Sequence, residues 1–89
     1  LARHISALKR ARQNKKRRMR NQSRKTRVKS VVREVRQAMA QKDAVGAETA
    51  LTKAVPIIAQ VAGKGTLHWR AAARKISRLT RQVNALKAV

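Results

Sequence analysis

"KRARQNKKRRMRNQSRKTR", residues 9–27, places eleven Lys or Arg in nineteen positions and contains no acid. It also lacks Gly and Pro, as does the whole span from Ser6 to Gln41, which is dominated by the good helix formers Ala, Arg, Lys, Gln and Met. The stretch is therefore predicted to be helical, yet it has almost nothing apolar to bury. A helix of this kind cannot be part of a core. It must project from one, against a surface that is not its own.

The apolar pattern on either side of the stretch says where the core lies. Val28, Val31, Val32, Val35 and Met39 fall at helical spacing and make one apolar stripe, whereas Ile5, Leu8 and Met19 are scattered. The first helix, 6–41, is thus expected to pack through its carboxyl half and to project through its amino half. At 1.5 Å per residue it runs ~54 Å. Asp43 is placed to cap a second helix, 43–63, with Ala47, Leu51, Ala54, Val55, Ile58, Val61 and Ala62 on its apolar face. Pro56 inside it should bend it or leave the Thr52 carbonyl unpaired, and Gly46 in its first turn weakens it. "GKGT" at 63–66 ends that helix, and Thr66 is expected to cap a third, 66–88. There Ala72, Ile76, Leu79, Val83 and Leu86 share one side, with Arg70, Arg74, Arg78 and Arg81 on the other. The prediction is an all-α chain of one domain, residues 1–89: a short antiparallel three-helix bundle carrying a long, projecting, highly basic amino-terminal helix.

Charge narrows the partner. Lys plus Arg number 24 against three acids, a formal net charge of +21, and such an imbalance demands an external polyanion. Residues 1–36 hold fifteen basic residues and one acid, 37–66 three and two, 67–89 six and none. Like charges four apart on a helix repel, so cations on nearly every face become favourable only with anions on several sides, as in a groove between packed nucleic-acid helices. The arginine row of the third helix makes a second contact surface, and Arg suits bidentate phosphate contacts. Two surfaces imply bridging.

Other classes fail on inventory. Three dispersed acids, His4, His68 and no cysteine support neither a catalytic pair nor a metal site, and "GKGT" lacks the strand and spacing of a phosphate loop. No apolar run reaches the ~18 residues of a membrane span, and residues 9–27 lack the apolar face of a membrane-surface helix. The Arg-rich, acid-poor amino terminus imitates an organelle transit peptide, but the basic run is too long and dense for one. Leu1 in place of Met points to a slightly longer protein. A histone-like DNA-compacting protein is the rival from the same electrostatics. With Trp69 as the one aromatic among Phe, Tyr and Trp, single-strand reading by base stacking is disfavoured. Trp69 has two readings, a partly buried packing residue at a helix start, which is the favoured one, or a residue that stacks on a base. His68 has two readings, a helix-terminus residue or a polar contact to RNA.

Two segments carry a family resemblance. "SALKRARQNKKRRMRNQSRKT", 6–26, is similar to a Ser-Ala-x-Lys-Arg opening followed by a basic run with Arg-Asn and then Ser-x-Lys. "KGTLHWRAAARKISRL", 64–79, matches the more specific signature at Lys64, Gly65, Leu67, His68, Ala72, Ala73, Arg74, Ser77, Arg78 and Leu79. Both resemble the bacterial-type small-subunit ribosomal protein number twenty, over nearly the whole chain. Trp69, Arg70 and Ile76 depart from that family's usual Lys, Asn and Lys, and Ile76 fits the apolar stripe better than a cation would.

The resemblance implies a non-enzymatic ribosomal constituent, without cofactor, that binds 16S-type ribosomal RNA directly and early. It also implies contact with the 5′ domain and with the long helix near the 3′ end, other ribosomal proteins being minor partners. The expected setting is the cytoplasmic ribosome, or an organellar one. The candidate RNA-binding residues are Arg3, His4, Lys9, Arg10, Arg12, Lys15, Lys16, Arg17, Arg18, Arg20, Asn21, Ser23, Arg24, Lys25, Arg27 and Lys29 on the first helix. On the third they are His68, Arg70, Arg74, Lys75, Ser77, Arg78 and Arg81.

Overall fold

The fold turns on the corner at Lys42–Asp43. The Asp43 N–H donates to the Ala38 carbonyl at 2.9 Å and the Lys42 N–H to the Met39 carbonyl at 3.0 Å. Lys42 adopts a left-handed φ of 57°. Together these make a Schellman stop for the first helix, with a lysine where glycine is usual. The Asp43 carboxylate then accepts the Gly46 N–H at 2.9 Å and opens the second helix. One residue closes one helix with its backbone and starts the next with its side chain.

The structure, a computed structural model, describes residues 2–88. These form α1 (Ala2–Ala40), α2 (Ala44–Gly63) and α3 (Trp69–Ala88), with no strand among the described residues. The expected all-α architecture with its long amino-terminal helix is what is found. Helix α1 starts before the expected Ser6, since Arg3, His4 and Ile5 include no breaker, and its 39 residues span about 58 Å. The overall extents are 68 × 22 × 14 Å and the radius of gyration 17.9 Å, against about 12 Å for a compact chain of this length.

The core is made of the predicted stripes. Val28, Val31 and Val35 of α1 meet Ala47, Ala54, Ile58 and Val61 of α2 and Ala72, Leu79 and Val83 of α3, with Val32, Met39, Leu51, Ile76 and Leu86 packed at its margin. No polar or charged residue is buried among the described residues. Helix α2 packs extensively against both partners, whereas α1 and α3 touch only sparsely. Pro56 does not break α2, which continues to Gly63. Both Pro56 and Thr52 are exposed, which puts the proline on the solvent side of the helix, where a carbonyl without its helical donor is least costly. Gly65, at φ +78°, makes the left-handed turn out of α2.

The start of α3 corrects the sequence-based expectation. The helix begins at Trp69, and Thr66 does not cap it. His68 does: its Nδ1 accepts the Arg70 N–H at 3.1 Å and its carbonyl accepts the Ala72 N–H at 3.0 Å. Thr66 turns instead toward α1.

Gly46 has a reason to be glycine. A methyl group there would sit 2.7 Å from the Asp43 carboxyl carbon and dislodge the cap. Asp43→Ala should therefore lower bundle stability by about 0.5–2 kcal/mol. Gly46→Ala should fail to deliver the gain of up to ~1 kcal/mol that the exchange gives in an ordinary helix interior. Urea unfolding followed by circular dichroism at 222 nm measures both.

Candidate nucleic-acid interface

Every residue from Arg3 to Ser23 is exposed, and the first buried position of α1 is Val28. Over this segment, about 31 Å long at the helical rise, Arg3, His4, Lys9, Arg10, Arg12, Lys15, Lys16, Arg17, Arg18 and Arg20 place cations or an imidazole around the whole circumference. Ile5, Leu8 and Met19 are also exposed and form no continuous stripe. Lys25, Arg27 and Lys29 continue the exposed charge alongside the bundle.

None of the three acids serves the rod. Glu34 pairs with Lys53 at 3.5 Å, joining α1 to α2, and Glu48 with Lys87 at 3.0 Å, joining α2 to α3. Asp43 caps α2. All three carboxylates are engaged at the joints of the bundle, and the repulsion along the rod is left for an outside partner to relieve.

Two of the candidate residues mark where the rod leaves the bundle. The Thr66 hydroxyl donates to Asn21 Oδ1 at 3.1 Å, while Arg24 Nη1 donates to Thr66 Oγ1 at 3.3 Å and to Asn21 Oδ1 at 3.4 Å. Arg24 is accordingly half-buried, alone among the described Lys and Arg residues. Asn21 and Arg24 thus clasp the 64–68 loop to the middle of α1, a use that sequence reasoning did not anticipate. Ser23 lies beside them, exposed.

On α3, Arg70, Arg74, Lys75, Ser77, Arg78 and Arg81 are all exposed. Because α1 and α3 barely touch, an open groove of about 510 Å³ remains between them, bordered by Lys29, Arg33, Arg36 and Gln37 of α1 and Lys75 of α3 over a floor of Val28 and Val32. It continues along Arg36, Lys75 and Arg78 above Leu79. Arg78 therefore sits on the flank facing α1 as well as in the outward row. Arg33 and Arg36 were missed by sequence reasoning. Their signal was present: 29, 33 and 36 share a helix face beside the valine stripe.

The placement of Trp69 is a second correction. It is 65% exposed, because the apolar face of α3 begins at Ala72 and residue 69 precedes the packed turn. The His68 ring lies alongside the indole with centroids 5.8 Å and planes 25° apart, and the Arg70 guanidinium carbon stands 5.2 Å from the indole centroid. With Nδ1 engaged by the Arg70 amide, His68 is a helix-terminus residue whose Nε2 remains to meet an outside group. Among the described residues no three His, Asp or Glu cluster as a metal site would require, and no helix is long and apolar enough to cross a membrane.

Comparison with known proteins gives a consistent match. The family model described as "Ribosomal protein S20" matches residues 2–84. The chain is 51% identical over 87 residues to "Small ribosomal subunit protein bS20" of Nitratidesulfovibrio vulgaris, covering 98% of this chain and 100% of that protein. To the proteins of the same name from Syntrophus aciditrophicus and Geobacter metallireducens it is 49% identical over 85 residues and 45% over 86. Those two matches cover 96% and 97% of this chain, and 96% and 99% of the relatives.

The distribution of charge predicts how the rod behaves alone. With nothing to bury and no acid to pair, residues 3–23 should lose helix in low-salt buffer and regain it on a polyanion. Far-UV circular dichroism with and without RNA measures the gain; full helicity of the free chain at low salt would refute it.

Proposed function

Because the chain belongs to the ribosomal protein S20 family, we propose that it works as a structural, non-enzymatic constituent of the small ribosomal subunit, binding 16S-type ribosomal RNA directly. The observation that carries this reading is the rod itself, cationic on all sides from Arg3 to Arg20 while every acid is engaged elsewhere. A cylinder of that kind matches a channel walled by phosphates on several sides. It neutralises RNA helices that would otherwise repel one another and lets them pack closely during assembly.

The bundle supplies the second and third contacts. The outward row of Arg70, Arg74 and Arg81 grips phosphates through planar forks. The groove between α1 and α3 cradles a further backbone segment between Lys29, Arg33, Arg36, Lys75 and Arg78. Asn21 and Arg24 act by fixing the angle at which the rod leaves the bundle. The chain thereby bridges separate RNA segments, for which the 5′ domain and the long helix near the 3′ end are the proposed pair. Its place is the ribosome, in the cytoplasm or an organelle.

Binding should be steeply salt-dependent. With about 6–10 phosphates contacted, affinity for small-subunit RNA falls about 10³–10⁵-fold between 50 and 200 mM salt, as filter binding would show. Arg17→Gln, Arg18→Gln and Arg20→Gln together should flatten the salt dependence by about two to three contacts while leaving the unfolding of the bundle unchanged. The pair Arg33→Gln and Arg36→Gln should flatten it by one to two, on the order of one per phosphate lost. A salt-independent affinity would remove this reading. Equal affinity for long duplex DNA in competition would favour the DNA-compacting one.

A further inference from the structure

A large aromatic side chain left in water is costly, since an indole buries about 150–250 Å² when it is used for packing. Trp69 is the only Trp, Phe or Tyr of the chain and contributes nothing to the core. It is nevertheless held in place. The His68 ring stacks beside it at 5.8 Å, the Arg70 guanidinium lies 5.2 Å from its centroid, and His68 is itself fixed by the Arg70 amide. The surroundings are cationic: from Ala62 to Ala88 there is no acid, and Lys64, Arg70 and Arg74 are exposed nearby. A protein partner for an exposed indole is usually apolar around it, whereas this one is ringed by charges that fit a polyanion.

We propose that Trp69, flanked by His68 and Arg70, is a stacking platform for one unpaired nucleobase of the bound RNA. Every base offers a π face, so stacking on an indole needs no particular sequence. Arg70, which is exposed, either completes the stack or reaches the neighbouring phosphate, and His68 Nε2 offers a hydrogen bond to the same nucleotide. A lone aromatic cannot hold an extended single strand, but it does hold a base turned out beside a helix whose phosphates are gripped by the arginine row. The proposal rests on the RNA-binding reading and adds a base contact to what is otherwise recognition of phosphates and shape.

As the sole tryptophan, Trp69 reports on this site alone. The full chain is titrated with small-subunit 16S-type RNA, with complex formation followed by gel mobility and indole emission recorded in parallel. Emission should be quenched in step with the complex, and the indole should become protected from acrylamide. Trp69→Ala should weaken binding about 5- to 150-fold and Trp69→Phe should recover most of that loss; because the ring is exposed, both variants should keep the wild-type circular dichroism spectrum. Complex formation with unchanged emission and acrylamide access, or wild-type affinity in Trp69→Ala, overturns the platform while leaving RNA binding standing. A change in emission only after another ribosomal protein is added assigns the ring to a protein contact and also overturns it. Absence of any complex removes both readings together.

Discussion

Three carboxylates against twenty-four Lys and Arg constrain the whole layout of this chain. At physiological ionic strength the screening length is about 8 Å, so the repulsion between neighbouring cations along α1 is only partly screened. The arrangement of helices respects it. The near-neutral helix α2, with one acid and one lysine, lies between the two basic helices, which touch each other only sparsely. Glu34 and Glu48 are placed where they tie α2 to each neighbour. As exposed pairs they add little stability, but they remove the carboxylates from competition with an outside polyanion.

What holds the bundle is consequently apolar and modest. Ala47, Ala54 and Ala72 are buried in it, and Val35, Ile58 and Val83 are the largest side chains fully removed from water. Small interfacial residues let helices come near enough for valines to interdigitate. A core of this size supports a short bundle and cannot restrain a rod that extends well beyond it. Bundle and rod obey different constraints: the bundle is held by excluding water, while the rod has no protein surface to hold it.

Much of this was legible in the sequence because both dominant signals are periodic or compositional. The valine stripe of α1 and the apolar series of α2 and α3 follow from helical spacing, and the projection of residues 3–23 follows from having nothing to bury. The failures are local and tertiary. Thr66 has the side chain of a helix cap, but its hydroxyl finds Asn21 and Arg24 across the fold, and His68 supplies the cap from a position where helix propensity gives no hint. Trp69 was expected to be partly buried because indoles are highly buried on average; its exposure depends on where the packed turn of α3 begins. Arg33 and Arg36 were hidden by the neighbouring Val31, Val32 and Val35, since a stripe that marks the core draws attention from the cations at its edge.

The corner at Asp43 has a kinetic meaning. It joins two helices adjacent in the chain, and the contacts of the bundle run between successive elements, the topology that folds on microsecond-to-millisecond timescales. The bundle formed by α2, α3 and the carboxyl half of α1 can therefore assemble without waiting for the amino-terminal rod, which contributes no residue to its core.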